Sequence, residues 1–266
     1  MKYYNGKKIW ITGASSGIGK EMAIQLSSMG AELILSSRNQ NALEAVKAIC
    51  TGAEKIMIIP IDLEDHDGLE KIFQQHREKL STLDILINNG GISQRSFIEE
   101  TSFSVYKKLI DVNYLGTLKL TQLLLPFFRK KNSGHILVTS SVAGKFGVPI
   151  RAGYSASKFA LHGFFEALRA ELNNTNIHIT MICPGWINTE ISKNALKGDG
   201  SLQGAMDQGQ LEGMPVDIMV TKVLKAAAKK KQEVIVGGLK EAHLGVWLSR
   251  MFPTLFRKVI ANARVT

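Results

Sequence analysis

Seven short, nearly unbroken apolar runs punctuate the chain: KIWIT at 8–12, ELILS at 32–36, KIMIIP at 55–60, LDILIN at 83–88, HILVTS at 135–140, HITMIC at 178–183 and EVIVG at 233–237. Runs of this length without polar alternation mark strands covered on both faces, as in a parallel sheet. Between them, apolar residues recur at helical spacing over 17–29, 40–50, 66–79, 103–130, 155–173 and 216–230. Regular β-α alternation predicts an α/β fold with a doubly wound parallel sheet of about seven strands. No Pro/Gly/Ser-rich linker and no repeat divides it, so 1–266 reads as a single domain. The least regular stretch, 188–215, predicts a long loop or lid, which in a compact domain is usually functional or mobile.

The last segment, 240–266, is a basic amphipathic extension. Leu244, Leu248, Met251, Leu255 and Val259 recur at helical spacing, with Trp247, Phe252 and Phe256 beside them and His243, Arg250 and Arg257 opposite. Pro253 is expected to kink or split that helix. Charge sharpens the point. The formal net charge is +10, from 33 Lys+Arg against 23 Asp+Glu, and residues 222–266 hold ten of the basic residues and only two acidic ones. The excess therefore belongs to the C-terminus, where it suits an anionic lipid surface, a partner subunit or the chain's own domain. With no recognised nucleic-acid-binding motif, a nucleic-acid partner is not expected.

Composition adds exclusions. With 45% hydrophobic and 21% charged residues the chain is an ordinary globular protein. Cys50 and Cys183 form no CxxC and read as buried thiols in a reducing compartment. The six histidines show no ligand spacing, so no metal is expected. The start, MKYYNGKKIWITG, runs into a strand rather than a signal-peptide apolar region, and no apolar run reaches 18 residues; the expected location is cytoplasmic, with peripheral membrane contact through the tail as the open question.

Chemistry begins at Thr12-Gly13-Ala14-Ser15-Ser16-Gly17-Ile18-Gly19, between the first strand and the first helix. Glycine permits a tight turn and close ligand approach, and a helix N-terminus offers free N–H groups to a pyrophosphate. The spacing is GxxxGxG rather than GxGxxG, but its position predicts a Rossmann-type dinucleotide site at the carboxyl edge of the sheet. An NAD site commonly places a carboxylate after the second strand. Here the sequence is Ser36-Ser37-Arg38-Asn39. Arg38 can pair with a 2′-phosphate and Ser37 can donate a hydrogen bond, which favours NADP(H).

Tyr154-Ser155-Ala156-Ser157-Lys158 puts a phenol and an ammonium four residues apart, on one helix face. A nearby ammonium favours the phenolate, and a phenol so tuned can exchange a proton with a carbonyl or alcohol oxygen. TGASSGIG at 12–19, Asp62, NNGG at 88–91, Asn113, Ser141, YSASK at 154–158 and Pro184-Gly185 with Thr189 follow in order. Over nearly its whole length the chain thereby resembles the short-chain dehydrogenase/reductase family, in its NADP-preferring branch. The tail is similar to the C-terminal extension of membrane-associated members that reduce steroids and retinoids; the N-terminal anchor common there is not evident in these first residues.

The resemblance implies roles. Tyr154 would be the general acid-base, and Lys158 would lower its pKa and bind the nicotinamide ribose. Ser141 would hydrogen-bond the substrate oxygen, and Asn113 would hold a water of a proton relay. Gly13, Ser15, Ser16, Gly17, Ile18 and Gly19 would cradle the pyrophosphate. Asp62 would meet the adenine edge and Asn89 support the cofactor, with Pro184, Gly185, Ile187 and Thr189 toward the nicotinamide. Ser141 rather than its neighbour Ser140 fits the family spacing. The usual NNAG is NNGG here; Gly90 removes a methyl near the cofactor and is expected to loosen that strand end.

The reaction implied is NADPH-dependent reduction of a small-molecule ketone or aldehyde, or the reverse oxidation, in a homodimer or homotetramer built through the 103–130 and 155–173 helices. Phe146, Val148, Pro149 and Ile150, with Leu196, Leu202, Met206, Leu211 and Met214, suggest an apolar substrate pocket, with Lys145 and Arg151 nearby. A 3-oxoacyl carrier-protein reductase and a non-catalytic NADP(H)-sensing protein are the alternatives.

Overall fold

A computed structural model describes residues 1–263. It comprises β1 (Lys8–Thr12), α1 (Gly17–Ser28), β2 (Glu32–Ser36), α2 (Gln40–Ile49), β3 (Ile56–Ile58), α3 (His66–Gln75), α4 (Arg77–Leu80), β4 (Ile85–Asn88), α5 (Phe103–Ile110), α6 (Gly116–Lys131), β5 (Gly134–Thr139), α7 (Ala152–Glu171), β6 (Ile177–Pro184), α8 (Gln208–Leu211), α9 (Val216–Ala228), β7 (Glu233–Val236), α10 (Gly245–Met251) and α11 (Pro253–Ala261). Every strand pairing is parallel, in the order β3-β2-β1-β4-β5-β6-β7. The order reverses between β1 and β4, which opens a crevice at their carboxyl ends, the usual ligand position in such sheets.

The unbroken apolar runs are explained by burial on both faces. In β1, Ile9 and Ile11 join one core with Leu33, Leu35, Met22 and Val223. Trp10, on the opposite face, joins the other with Ile34, Leu86, Leu120 and Phe165. Because successive strand residues point to opposite faces, one five-residue run serves both layers. Trp10 and Ser36 close the polar account: the indole donates to Ser36 Oγ at 2.8 Å, and that hydroxyl donates to Ile59 O at 2.6 Å.

Three expected elements differ in the structure. The run at 55–60 yields a three-residue strand at the sheet edge; Ile59 N still bonds Leu35 O, but Pro60 has no N–H with which to continue. The 66–79 helix breaks at His76 into α3 and α4. The 103–130 helix is interrupted by a π-helical turn, Asp111–Leu115, and such turns often occur at functional sites.

The 188–215 stretch is long, as expected, but well fastened. Leu196 bridges both Gln94 and Leu202, and Ile187 bridges Met214. Ser192, Ala195, Asp207 and Gln210 are buried. At the C-terminus Pro253 splits the helix as anticipated and becomes the first residue of α11. Val246 and Phe256 face inward, Phe256 packing edge-on against Phe146 at 4.7 Å, so Phe146 faces the tail rather than a substrate pocket. Trp247, Met251, Phe252, Leu255 and Val259 are each more than half exposed. The last three positions of the 240–266 tail lie outside the described residues.

One buried histidine shows how the layers lock. Thr180 Oγ1 donates to Lys231 O at 2.6 Å, so it receives the Nε2 proton of His135 at 2.9 Å. His135 Nδ1 must then accept from the Tyr3 hydroxyl, 2.9 Å away. Burial holds this neutral imidazole down at about 3 and His162 at about 4. Both lie below the unfolded value, so the unfolded chain binds the extra protons. Their stability contribution is present above about pH 6.5 and is lost as pH falls toward their folded values. Lowering pH from 7 to 5 should cost roughly 2 kcal/mol through His135 alone and lower Tm by several degrees in calorimetry. An unchanged Tm over that interval would contradict a buried neutral His135.

Candidate active site

The turn after β1 is shaped by contacts that leave no room for side chains. Gly13 and Gly17 have φ of +64° and +51°, which glycine adopts without strain. A Cβ on Gly19 would lie 2.2 Å from Gly13 O. Asn89 holds the turn from the neighbouring strand end: its Nδ2 donates to Thr12 O at 3.2 Å and Gly13 O at 3.3 Å, while its Oδ1 accepts from Thr139 Oγ1. Thr12 Oγ1 in return accepts from Asn89 N and Gly90 N, both at 3.0 Å. Ser16 is the N-cap of α1 and makes no side-chain cap bond, which leaves that helix terminus open to an anion. The cradle therefore fits a dinucleotide pyrophosphate; Ser15 lies in the turn, and Ile18 packs inward on the core.

The far end of the cradle is bounded by other predicted residues. Ser37 Oγ sits between Asn39 N and Asn39 O, Arg38 is exposed beside it, and Ile61 N bonds Ser37 O, which brings Asp62 alongside. Asp62 Oδ1 accepts from Glu64 N at 3.0 Å. Ile187 is buried, and Thr189 reaches over the glycine turn: a Cβ on Gly17 would meet its Cβ and Cγ2 at 3.5 Å. Pro184 ends β6, and Gly185 N bonds Val236 O.

The side chains expected to react converge next to it. Tyr154 and Lys158 lie in the first two turns of α7, both buried, with the ammonium 5.7 Å from the Tyr154 ring centre. Lys158 Nζ donates to Thr139 O at 2.8 Å, and burial lowers its pKa to about 8. The π turn presents Asn113 to the loop after β4: its Oδ1 accepts from Ile92 N at 2.8 Å and its Nδ2 donates to Ile92 O and Ser157 Oγ, each at 2.9 Å. Gly91 marks the meeting point, since a Cβ there would lie 3.0 Å from Asn113 Oδ1 and 3.4 Å from Lys158 Nζ. The two serines point apart. Ser141 accepts from Ala143 N and donates to Pro184 O, and its hydroxyl lowers the Tyr154 pKa. Ser140 is turned into the core toward His162 Nε2 at 3.0 Å. Burial raises the Tyr154 pKa; Ser141, Arg95 and Arg151 act against that rise.

Thr12, Thr139 and Ser157 were missed by sequence reasoning, although Ser157 lies inside YSASK and bonds both Asn113 Nδ2 and Tyr154 O. The strand end expected to loosen at Gly90 is closely packed instead: a Cβ there would lie 2.5 Å from Leu63 Cδ1. Of the proposed pocket residues, Leu196 and Val148 pack with Tyr154, whereas Leu202 and Leu211 are exposed. Lys145 pairs with Glu233. That pair abuts His162 and Cys183, and the three ligand-type atoms of His162, Cys183 and Glu233 lie within 4.8 Å of one another. They are distant in sequence, so spacing concealed them. Lys145 already neutralises the carboxylate, and burial pushes the Cys183 thiol up to about 12, which leaves the thiol protonated and a poor metal ligand.

A protein-family model described as short chain dehydrogenase matches residues 7–200. The chain belongs to the short-chain dehydrogenase family. It is therefore an oxidoreductase by family. It is 38% identical over 265 residues to the Dehydrogenase/reductase SDR family protein 7-like of Drosophila melanogaster, covering 98% of this chain and 81% of that one. It is 40% identical over 232 residues to the human Dehydrogenase/reductase SDR family member 7, with 85% and 68% covered. Among solved structures, a short-chain dehydrogenase from Streptomyces avermitilis shares the fold at a TM-score of 0.79 and 23% identity, covering 96% of this chain and 98% of that one. A Burkholderia phymatum member in complex with NAD gives 0.75 at 23%, covering 88% and 90%. A serine dehydrogenase complexed with NADP+ gives 0.77 at 22%, covering 88% and 96%.

The glycine geometry separates two substitutions. Gly19→Ala drives a methyl into backbone and should cost roughly 3 kcal/mol and weaken dinucleotide binding. Gly90→Ala meets chiefly the end of a flexible leucine, with its nearest backbone neighbour, Gly13 N, at 3.3 Å, and should cost about 1 kcal/mol. Denaturant unfolding of both variants checks the contrast, which equal losses would refute.

Proposed function

We propose that this family member reduces a ketone or aldehyde to an alcohol with NADPH, or runs the reverse oxidation, with Tyr154 as the general acid-base. The observation that carries this reading is the convergence of Tyr154, Ser141, Lys158 and Asn113 beside the open glycine cradle. When bound there, a nicotinamide cofactor supplies the hydride. Ser141 orients the substrate oxygen, and Tyr154 delivers the phenolic proton to it. Lys158 holds the nicotinamide ribose and favours the phenolate that results, and Asn113 holds the water that links Lys158 to solvent in the proton relay. Retention of all four side chains argues against a purely cofactor-sensing protein.

Arg38, exposed after β2 with no carboxylate among its immediate neighbours Ser36, Ser37 and Asn39, supports NADP(H) over NAD(H). Gly13, Ser15, Ser16, Gly17, Ile18 and Gly19 hold the pyrophosphate in this reading; Ser37, Asp62 and Asn89 serve the adenosine half and the cradle, and Pro184, Gly185, Ile187 and Thr189 the nicotinamide half. Leu196 and Val148 beside Tyr154 favour an apolar substrate. Exposed Phe103 and Phe159, on α5 and α7, support self-association through those helices.

The tail supports a second element of the proposal, peripheral contact with an anionic membrane. Among the described residues no helix is long and apolar enough to cross a bilayer. Trp247, Met251, Phe252, Leu255 and Val259 nevertheless stand exposed next to Arg250, Arg257 and Lys258, a combination suited to the lipid interface.

Three measurements test these readings. Tyr154→Phe should lower turnover by roughly a thousandfold while NADPH affinity, read by fluorescence titration, stays near that of the parent; near-parental turnover would refute the acid-base role. Arg38→Gln should weaken NADPH roughly tenfold and leave NADH little changed, and an equal effect on both would remove Arg38 from the 2′-phosphate site. For the tail, the full chain should float with phosphatidylserine-containing liposomes and a chain ending at Lys240 should not; equal flotation would refute lipid contact there.

A further inference from the structure

Three segments meet at a buried ion cluster beside Tyr154 that the reaction scheme does not use. Arg95, from the loop after β4, donates through Nε at 2.8 Å and Nη2 at 2.5 Å to Asp207 Oδ2. Arg151, the N-cap residue of α7, donates through Nη2 to the same oxygen at 3.0 Å. Asp207 belongs to the fastened 188–215 segment, and its Oδ1 accepts from Gln203 Nε2 at 2.8 Å. The side chains of Arg95 and Arg151 are 6% exposed and that of Asp207 1%. Trp186 stacks under the Arg151 guanidinium at 4.9 Å, and Arg95 Nη1 is fixed by Ser93 Oγ and Gln94 O.

The surrounding backbone is tied to the same point. Gln94 Oε1 accepts from Gly153 N, inside the first turn of α7, at 2.8 Å. Arg95 N bonds Leu196 O, and Leu196 N bonds Ser93 O. Ile150, immediately before Arg151, has φ +55°, a strained conformation for a β-branched residue. It is held by Ser96 N on Ile150 O at 3.0 Å.

Building on the proposed role of Tyr154, we propose that the Arg95–Asp207–Arg151 cluster is a positioning device for that residue. Asp207 fixes two guanidinium groups against the first turn of α7, so that Tyr154 sits in a positive field, and it fastens the 188–215 segment to the same turn. The charged groups acting on Tyr154 are Lys158 and Arg151 from its own helix and Arg95 from the loop after β4, with Asp207 behind the two arginines; the hydroxyl of Ser141 completes the setting. Removing a positive charge from this group disfavours the phenolate, so the Tyr154 pKa must rise.

The test reads Tyr154 without requiring a substrate. Tyrosine Cζ resonances of the full chain, labelled with carbon-13, are titrated with pH, and Tyr154→Phe identifies the Tyr154 signal. Arg95→Gln should raise the Tyr154 midpoint by about one pH unit, and Arg95→Lys, which keeps the charge but loses the fork, should shift it less. Asp207→Asn should speed amide hydrogen exchange across 188–215. A folded Arg95→Gln with an unmoved Tyr154 midpoint overturns the proposal. If Arg95→Gln does not fold, an Arg95→Lys midpoint displaced upward by a full unit overturns it, as does unchanged exchange in Asp207→Asn. A catalytically competent Tyr154→Phe would refute the acid-base role alone and leave these electrostatic outcomes readable.

Discussion

The crossing of two backbones at the β1 and β4 carboxyl ends governs the rest of this molecule. Gly13 O lies where a Gly19 side chain would begin, and Asn89 stitches the same carbonyl to the neighbouring strand. Thr12 closes the loop by accepting two backbone N–H groups from that strand's continuation. With those groups paired, the backbone N–H groups of Asn89 and Gly90 keep partners where β4 diverges from β1. The crevice at the reversal of strand order is thus formed before any ligand arrives, and the open N-terminus of α1 points at it.

From that crossing the groups proposed to react are placed by backbone rather than by side-chain packing alone. Lys158 is aimed by the Thr139 carbonyl at the end of β5, and Asn113 by both polar atoms of Ile92. A regular α-helix would carry Asn113 on a fixed ladder; the π turn releases it to imitate a strand neighbour. Ser157 then couples Asn113 to the Tyr154 carbonyl, so the residue proposed for the relay and the proposed proton donor share one hydrogen-bonded frame.

Legibility in the sequence followed the range of the interaction. Strands buried on two faces announce themselves by unbroken apolar runs, and all seven appeared within a few residues of their true ends. The glycine turn and the YSASK helix were readable because their chemistry is local. The π turn was not, since the apolar period of 103–130 runs through it unchanged. Nor was the Arg95–Asp207–Arg151 cluster, whose arginines lie 112 and 56 residues from Asp207; of the three, only Arg151 stood out in the sequence, beside the expected substrate pocket. Gly90 misled for the opposite reason. Its missing methyl suggested a looser strand end, yet Leu63, remote in sequence, packs against it.

The same distinction applies to charge. The excess of the +10 net charge already lies at the C-terminus in the sequence, and in the structure the charged groups fall into two physical regimes. Around Tyr154, few guanidinium groups act strongly because they are buried and water cannot screen them. Along α10 and α11, Arg250, Arg257 and Lys258 are exposed, and each acts weakly until an oppositely charged surface approaches. Those basic residues border an apolar face of which Val246 and Phe256 are buried, Phe256 against Phe146, while Trp247, Met251, Phe252, Leu255 and Val259 stay exposed. Net charge is therefore a poor guide to the reaction site and a better one to the surface of the tail.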